Sequence, residues 1–206
     1  MRSRARIAAM ILTALVVATG AWADPPNFDF NGYAIVPTTA GGTLILRSVL
    51  TNNGVVPTPI ALDFTQFQYT LLVTATLSVV GPPSQYSPAS IEMFEDPIAG
   101  GTAADYAAPG TFTDGTLILA GAFDGNLTRN RFTPTLGSFI GLVDFTAGTR
   151  LGDLGTPQDW PFGGAWSRSI SGIPTGYDEN WDGKIDLATV AVEPSSWEAV
   201  KEMYRR

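Results

Sequence analysis

The chain has 206 residues and contains neither histidine nor cysteine, which excludes Ser-His and Cys-His nucleophilic catalysis, histidine-bound zinc, thiolate chemistry and disulfide bracing. Nineteen acidic against twelve basic residues give a formal charge of −7, a balance that disfavours nucleic acid and anionic membrane surfaces as partners.

Arg2, Arg4 and Arg6 precede an apolar run at 7–17, and Ala21-Trp22-Ala23 then supplies small residues where a signal peptidase reads before cleavage. This is the pattern of a secretory signal peptide over 1–23, because so short an apolar run falls well below the roughly twenty residues a bilayer span needs. The expected destination is the extracellular space or the periplasm, with no membrane span in the mature chain. Cleavage takes away three basic and no acidic residues, leaving 183 residues at a formal charge of −10, the size of one domain.

From Asp24 onward the pattern is strands separated by turns. Segments 28–36 and 43–51 read as strands, the second closed by Asn52-Asn53-Gly54. Then comes the clearest signal in the chain, Phe67 to Val79, whose odd positions are all apolar and whose even positions are amides and hydroxyls except Leu72. A period of two places one face on a core and the other toward water. Thirteen residues exceed the usual strand length of about six, so a bend or a bulge near Leu72 is expected, letting the strand serve two packed sheets. A short strand at 90–94 follows, then a small-residue loop at 97–110. Further strands at 116–123 and 138–146 are bounded by Asp114-Gly115 and Asp124-Gly125, and such Asp-Gly pairs are hairpin signals. Phe139, Val143 and Phe145 share a face, with Gly141 between them. Segment 147–176, broken by glycines and prolines, reads as a long loop covering one end of the domain.

Many short strands, frequent turns and no crossover helices predict an all-β fold, an antiparallel β-sandwich of the jelly-roll kind, over 24–192. The C-terminal segment 193–206 reads as a short amphipathic helix. Ser195 and Glu198 have capping-box spacing, Pro194 stops helix upstream, and Trp197, Val200, Met203 and Tyr204 fall on one face.

The motif with the most chemistry in it is Asp178-Glu179-Asn180-Trp181-Asp182-Gly183-Lys184-Ile185-Asp186, which resembles the calcium loop of EF-hands and dockerins over nine residues. The resemblance implies Ca²⁺ held by Asp178, Asn180, Asp182, the Lys184 carbonyl and Asp186, with Gly183 at the sharp turn and Ile185 anchoring the loop. Position twelve is Thr189 rather than an acid, which implies weak binding, on the order of 10⁻⁴–10⁻³ M. The alternative is that Asp182-Gly183 is a hairpin turn like the two Asp-Gly pairs upstream. A second oxygen-rich region comprises Glu95, Asp96, Asp105 and Asp114. The aromatic group Trp160, Phe162, Trp166 and Trp181 offers rings that could stack on sugars if exposed, or fill a core if buried.

The strand and turn texture, with the segments TFTDGTLILAG and GYDENWDGKIDL, resembles uncharacterised bacterial exported β-sandwich proteins of the sorting-anchor type, here with the apolar anchor replaced by a charged segment. The expectation is a secreted, non-enzymatic binding or structural module, calcium-stabilised, whose partner is an extracellular protein or a glycan. The alternatives are a carbohydrate-binding module using Trp160 and Trp166 and, more distantly, a glycosidase built on paired carboxylates.

Overall fold

Residues 26–51 and 57–187 are described by a computed structural model, in which eight strands follow one another in chain order and each pairs antiparallel with its neighbours. They are β1 (Asn27–Ile35), β2 (Thr43–Thr51), β3 (Phe67–Val79), β4 (Ser84–Pro97), β5 (Thr116–Thr133), β6 (Leu136–Ala147), β7 (Trp160–Ser167) and β8 (Glu179–Asp186). β8 returns to pair with β1 from Asn27↔Asp186 to Ala34↔Glu179, so the sheet closes on itself and has no free edge. Two short 3₁₀ turns, Pro109–Phe112 and Leu151–Asp153, lie in the longer connections.

The all-β class is as expected, but the architecture is a closed barrel rather than a sandwich or jelly roll. The difference comes from β7 and β8. The first lies within the expected loop 147–176 and the second within the expected calcium loop, and together they supply the staves that close the sheet. Without them the sheet would stay open, and an open sheet buries its apolar face by packing on a second one. The expected signal peptide, the Asn52-Asn53-Gly54 turn and the C-terminal helix all lie outside the described residues.

β3 behaves as its alternation requires: Tyr69, Leu71, Val73, Ala75 and Leu77 point inward and are almost fully buried. The anticipated break near Leu72 does not occur. Pairing with β4 is regular from Phe67 to Ala75, and the register shifts fall between Ala75 and Val79. Outside, Thr70 is covered by the first 3₁₀ turn and donates its hydroxyl to the Phe112 carbonyl at 2.8 Å. β5, the longest strand, runs straight through Asp124-Gly125. There a bulge between Asp124 and Thr128, with Gly125 at φ 73°, bends the strand around the barrel where a hairpin was expected.

The interior is filled, not hollow. Phe30 stacks on Phe162 at 5.2 Å between ring centroids, and Phe139 stacks on Trp181 at 4.2 Å. Glycines on the neighbouring strands make room for these rings: a Cβ at Gly164 or Gly183 would lie 2.7 Å from the tip of Phe139. The outer wall carries exposed Asn31, Asp124, Asn126, Asp182 and Lys184 together with exposed Ile140 and Leu142 on β6. Among the described residues no helix is long and apolar enough to cross a membrane.

Candidate functional site

The up-and-down order sends the connections at 36–42, 80–83, 134–135 and 168–178 to one end of the barrel, while the described chain begins and finishes at the other. That first end holds an unusual concentration of positive charge. In β5, Leu127, Arg129 and Arg131 alternate onto the inward face, so the strand carries two guanidinium groups up to the mouth. A third, Arg168, directly follows β7. The six basic residues among the described ones are Arg47, Arg129, Arg131, Arg150, Arg168 and Lys184, so half of them meet at one mouth of an otherwise acidic barrel.

Beneath them lies Glu179, the first residue of β8, with its side chain fully buried. Four N–H donors converge on this carboxylate. Arg129 Nε donates to Oε2 at 3.0 Å and Arg129 Nη2 to Oε1, Arg168 Nε to Oε1 at 2.8 Å, and Trp181 Nε1 to Oε2 at 3.0 Å. A buried carboxylate is tolerable when paired and hydrogen-bonded in this way. The Arg129 guanidinium also lies 3.7 Å above the Trp166 ring, whose own Nε1 donates to the Asn130 carbonyl at 2.7 Å. Arg129 is thereby held between a ring and a carboxylate, with no hydrogen bond to its Nη1 among the described residues. Arg131 has no ion pair or hydrogen bond among them, and Arg168, with its side chain 44% exposed, keeps both terminal nitrogens uncommitted.

These three arginines line a cavity of about 340 Å³. Val36, Pro37, Thr38, Leu77, Val80 and Pro82 line the same cavity, with Gly81, Ser84 and Tyr86. Burial pushes the Tyr86 phenol up to about 12, with Arg129 and Arg168 pulling it down and Glu179 pushing it up, so near neutrality it is an uncharged hydroxyl. Asp178, the other acid at this end, accepts a hydrogen bond from the Val36 backbone N–H at 2.7 Å.

The residues expected to bind calcium are not brought together. Segment 179–186 is extended strand, so Asn180, Asp182 and Asp186 share one face but are spaced along it by about 7 Å per two residues, too far apart to wrap one ion. Glu179 and Trp181 point inward; Asp182 and Lys184 are exposed on the outer wall, where Lys184 Nζ lies 3.0 Å from Asp186. Asn180 donates to the Gly32 carbonyl at 2.9 Å, and Asp178 is bound to Val36 as described. Asp182-Gly183 is not a hairpin turn either. Among the described residues no group of three or more acids could hold a metal ion. Of the second acidic region, Asp96 accepts from the Thr102 N–H and Asp105 from the Ala107 N–H, both as local loop bonds.

Trp160, Phe162, Trp166 and Trp181 do gather, but inside the barrel, each fully buried. They offer no ring face to a sugar. A second concavity of about 480 Å³, an open trough outside β7 and β8, is lined by Asp29, Asp182, Lys184, Asp186, Ile140 and Pro161 among others. The mouth residues Arg129, Arg131, Arg168, Glu179 and Tyr86 were not anticipated. The signal that could have found two of them is the Arg-Asn-Arg triplet at 129–131, which on a strand puts both guanidinium groups on one face.

No protein-family model, curated protein or solved structure matches the chain.

Proposed function

We propose that the protein is an exported, non-enzymatic binding barrel that takes a small ligand at its arginine-lined mouth. The observation that carries this reading is the 340 Å³ cavity whose lining combines guanidinium nitrogens uncommitted among the described residues with apolar side chains, the mixture typical of a small-molecule site. The chemistry of the lining supports binding over catalysis. Glu179, with four donors on its oxygens, has no free lone pair suited to act as a base, and Tyr86 at about 12 stays protonated near neutral pH.

Export rests on Arg2, Arg4 and Arg6, the apolar run at 7–17 and Ala21-Trp22-Ala23. A mature N-terminus at Asp24, read by mass spectrometry of the exported protein, is the expected result; intact Met1 in a membrane fraction is the contrary one.

For the mouth, the test is a small-molecule screen by thermal shift and tryptophan fluorescence, since Trp166 lies directly beneath Arg129. Ligands should raise the melting temperature and change the emission, and Thr38→Trp, which places an indole in the opening, should abolish both responses. Binding that survives Thr38→Trp, or a screen without a single ligand, refutes the mouth as the site.

A further inference from the structure

We infer that the ligand of this mouth is a monoanionic organic acid with a short apolar body of about eight carbons, a statement that rests on the binding-barrel reading above. The head group follows from charge. Three guanidinium groups face two carboxylates here, Glu179 and Asp178, and both carboxylates are already engaged, by Arg129, Arg168 and Trp181 in one case and by the Val36 N–H in the other. One positive charge remains in excess. Among the described residues the donors left free belong to Arg131, to the outer nitrogens of Arg168 and to Arg129 Nη1, and the planar fork of a guanidinium matches the two oxygens of a carboxylate. A cation would meet like charge at every one of these groups.

The apolar body follows from the rest of the wall. Val36, Pro37, Leu77, Val80 and Pro82 line the same cavity as the arginines, and Val80 is 57% exposed in the described chain. A ligand that covers this wall removes apolar surface from water, which an inorganic anion cannot do.

The length follows from the floor. Tyr86, Leu77, Trp166 and Trp181 are almost fully buried under the mouth, so the interior is closed to a long chain. At roughly 30 Å³ per water-sized unit, a cavity of about 340 Å³ admits on the order of ten non-hydrogen atoms. Octanoate has about that size.

The experiment is isothermal titration calorimetry of the mature chain with octanoate, octanol, octylammonium and inorganic phosphate, repeated on Arg131→Gln, Arg168→Gln and Thr38→Trp. Octanoate is expected to bind saturably, one per chain, with octanol and phosphate each at least about tenfold weaker and octylammonium undetectable. Arg131→Gln should weaken octanoate about tenfold, the loss of a charged hydrogen bond, while leaving the melting temperature of the free protein unchanged because Arg131 has no partner among the described residues to lose. Arg168→Gln should weaken it similarly. Octanol binding as tightly as octanoate, or octanoate indifferent to Arg131→Gln, overturns the acid while the mouth stands as a binding site. Phosphate binding as tightly as octanoate overturns the apolar body. Binding by none of the four probes, or octanoate binding that survives Thr38→Trp, overturns the mouth itself and this inference with it.

Discussion

The ring of Phe139 ends 2.7 Å from the point where a methyl group on Gly183 would begin, and the Gly163 carbonyl lies 2.5 Å from that same point. Gly183 is therefore the space into which the Phe139–Trp181 stack fits. Gly183→Ala should destabilise the barrel by about 1–3 kcal/mol, the usual consequence of overpacking a filled core. Gly152→Ala is the control, because a Cβ there meets nothing within 4 Å. Urea unfolding of the two variants checks the point: Gly183→Ala should lower the midpoint, and Gly152→Ala should hold or raise it through the smaller entropy of its unfolded chain.

Glu179 joins the two halves of the mouth, since Arg129 comes from β5 and Arg168 from the end of β7. Glu179→Gln leaves Arg129 buried without its counter-charge and should cost about 3–5 kcal/mol. Replacing the pair together, Arg129→Met with Glu179→Leu, should recover more than half of that loss, though Trp181 Nε1 would still lack an acceptor. A double-mutant cycle in urea measures the coupling directly. Additive effects would show that the two side chains do not depend on one another.

Much of the barrel wall was legible because alternation was clean. β2 and β3 begin and end where their apolar period does, and Phe139, Val143 and Phe145 share the inward face of β6 as their spacing implies. β7 and β8 were hidden for a physical reason. On β7 the inward Gly164 and the outward Gly163 and Ala165 blur any polar-apolar contrast; β8 does alternate, with Trp181 and Ile185 inward and Asn180, Asp182, Lys184 and Asp186 outward, but the charged Glu179 and Gly183 interrupt its inward face and its spaced acids read as a calcium loop. The same glycines misled the turn reading, since Gly125 serves a bulge and Gly183 a close ring contact inside strands. The tryptophans were recognisable as a group, but only closure of the sheet decides that their side of the wall is the interior. Closure also assembles the mouth: Arg168 is far from Arg129 and Arg131 in sequence, and no local pattern joins them.

Calcium provides a sharp test of the strand geometry at 178–186. Asn180, Asp182 and Asp186 are strung along one face of an extended strand at about 7 Å per two residues, so their oxygens cannot converge without β8 leaving both β1 and β7. Melting curves in several millimolar calcium and in chelator should coincide, and Asp182→Ala should change stability by no more than about 0.5 kcal/mol, as exposed substitutions do. A calcium-dependent rise in melting temperature that Asp182→Ala removes would show that this segment is not held as strand.

Alkaline pH should destabilise the barrel through its tyrosines before any other group. Burial pushes Tyr86 and Tyr69 each up to about 12 from an ordinary value of 10, and Tyr106, packed against Tyr33, Tyr177 and Phe112, is raised as well. In the unfolded chain these phenols release their protons near pH 10; in the folded barrel they hold them. Between those values the native state therefore binds more protons than the unfolded one, and stability falls as pH rises. The loss should start near pH 10 and continue to about pH 12, with no tyrosine contribution below pH 9. Chemical unfolding at a series of pH values, with phenolate absorbance followed in parallel, reads both sides of the linkage. Tyr86→Phe keeps the ring and removes the titrating hydroxyl, so it should flatten part of the alkaline slope while leaving stability at pH 7 nearly unchanged. An equally steep slope in Tyr86→Phe, or phenolate absorbance completed at pH 10 while the protein is still folded, would mean that Tyr86 is not held in the buried position beneath Arg129.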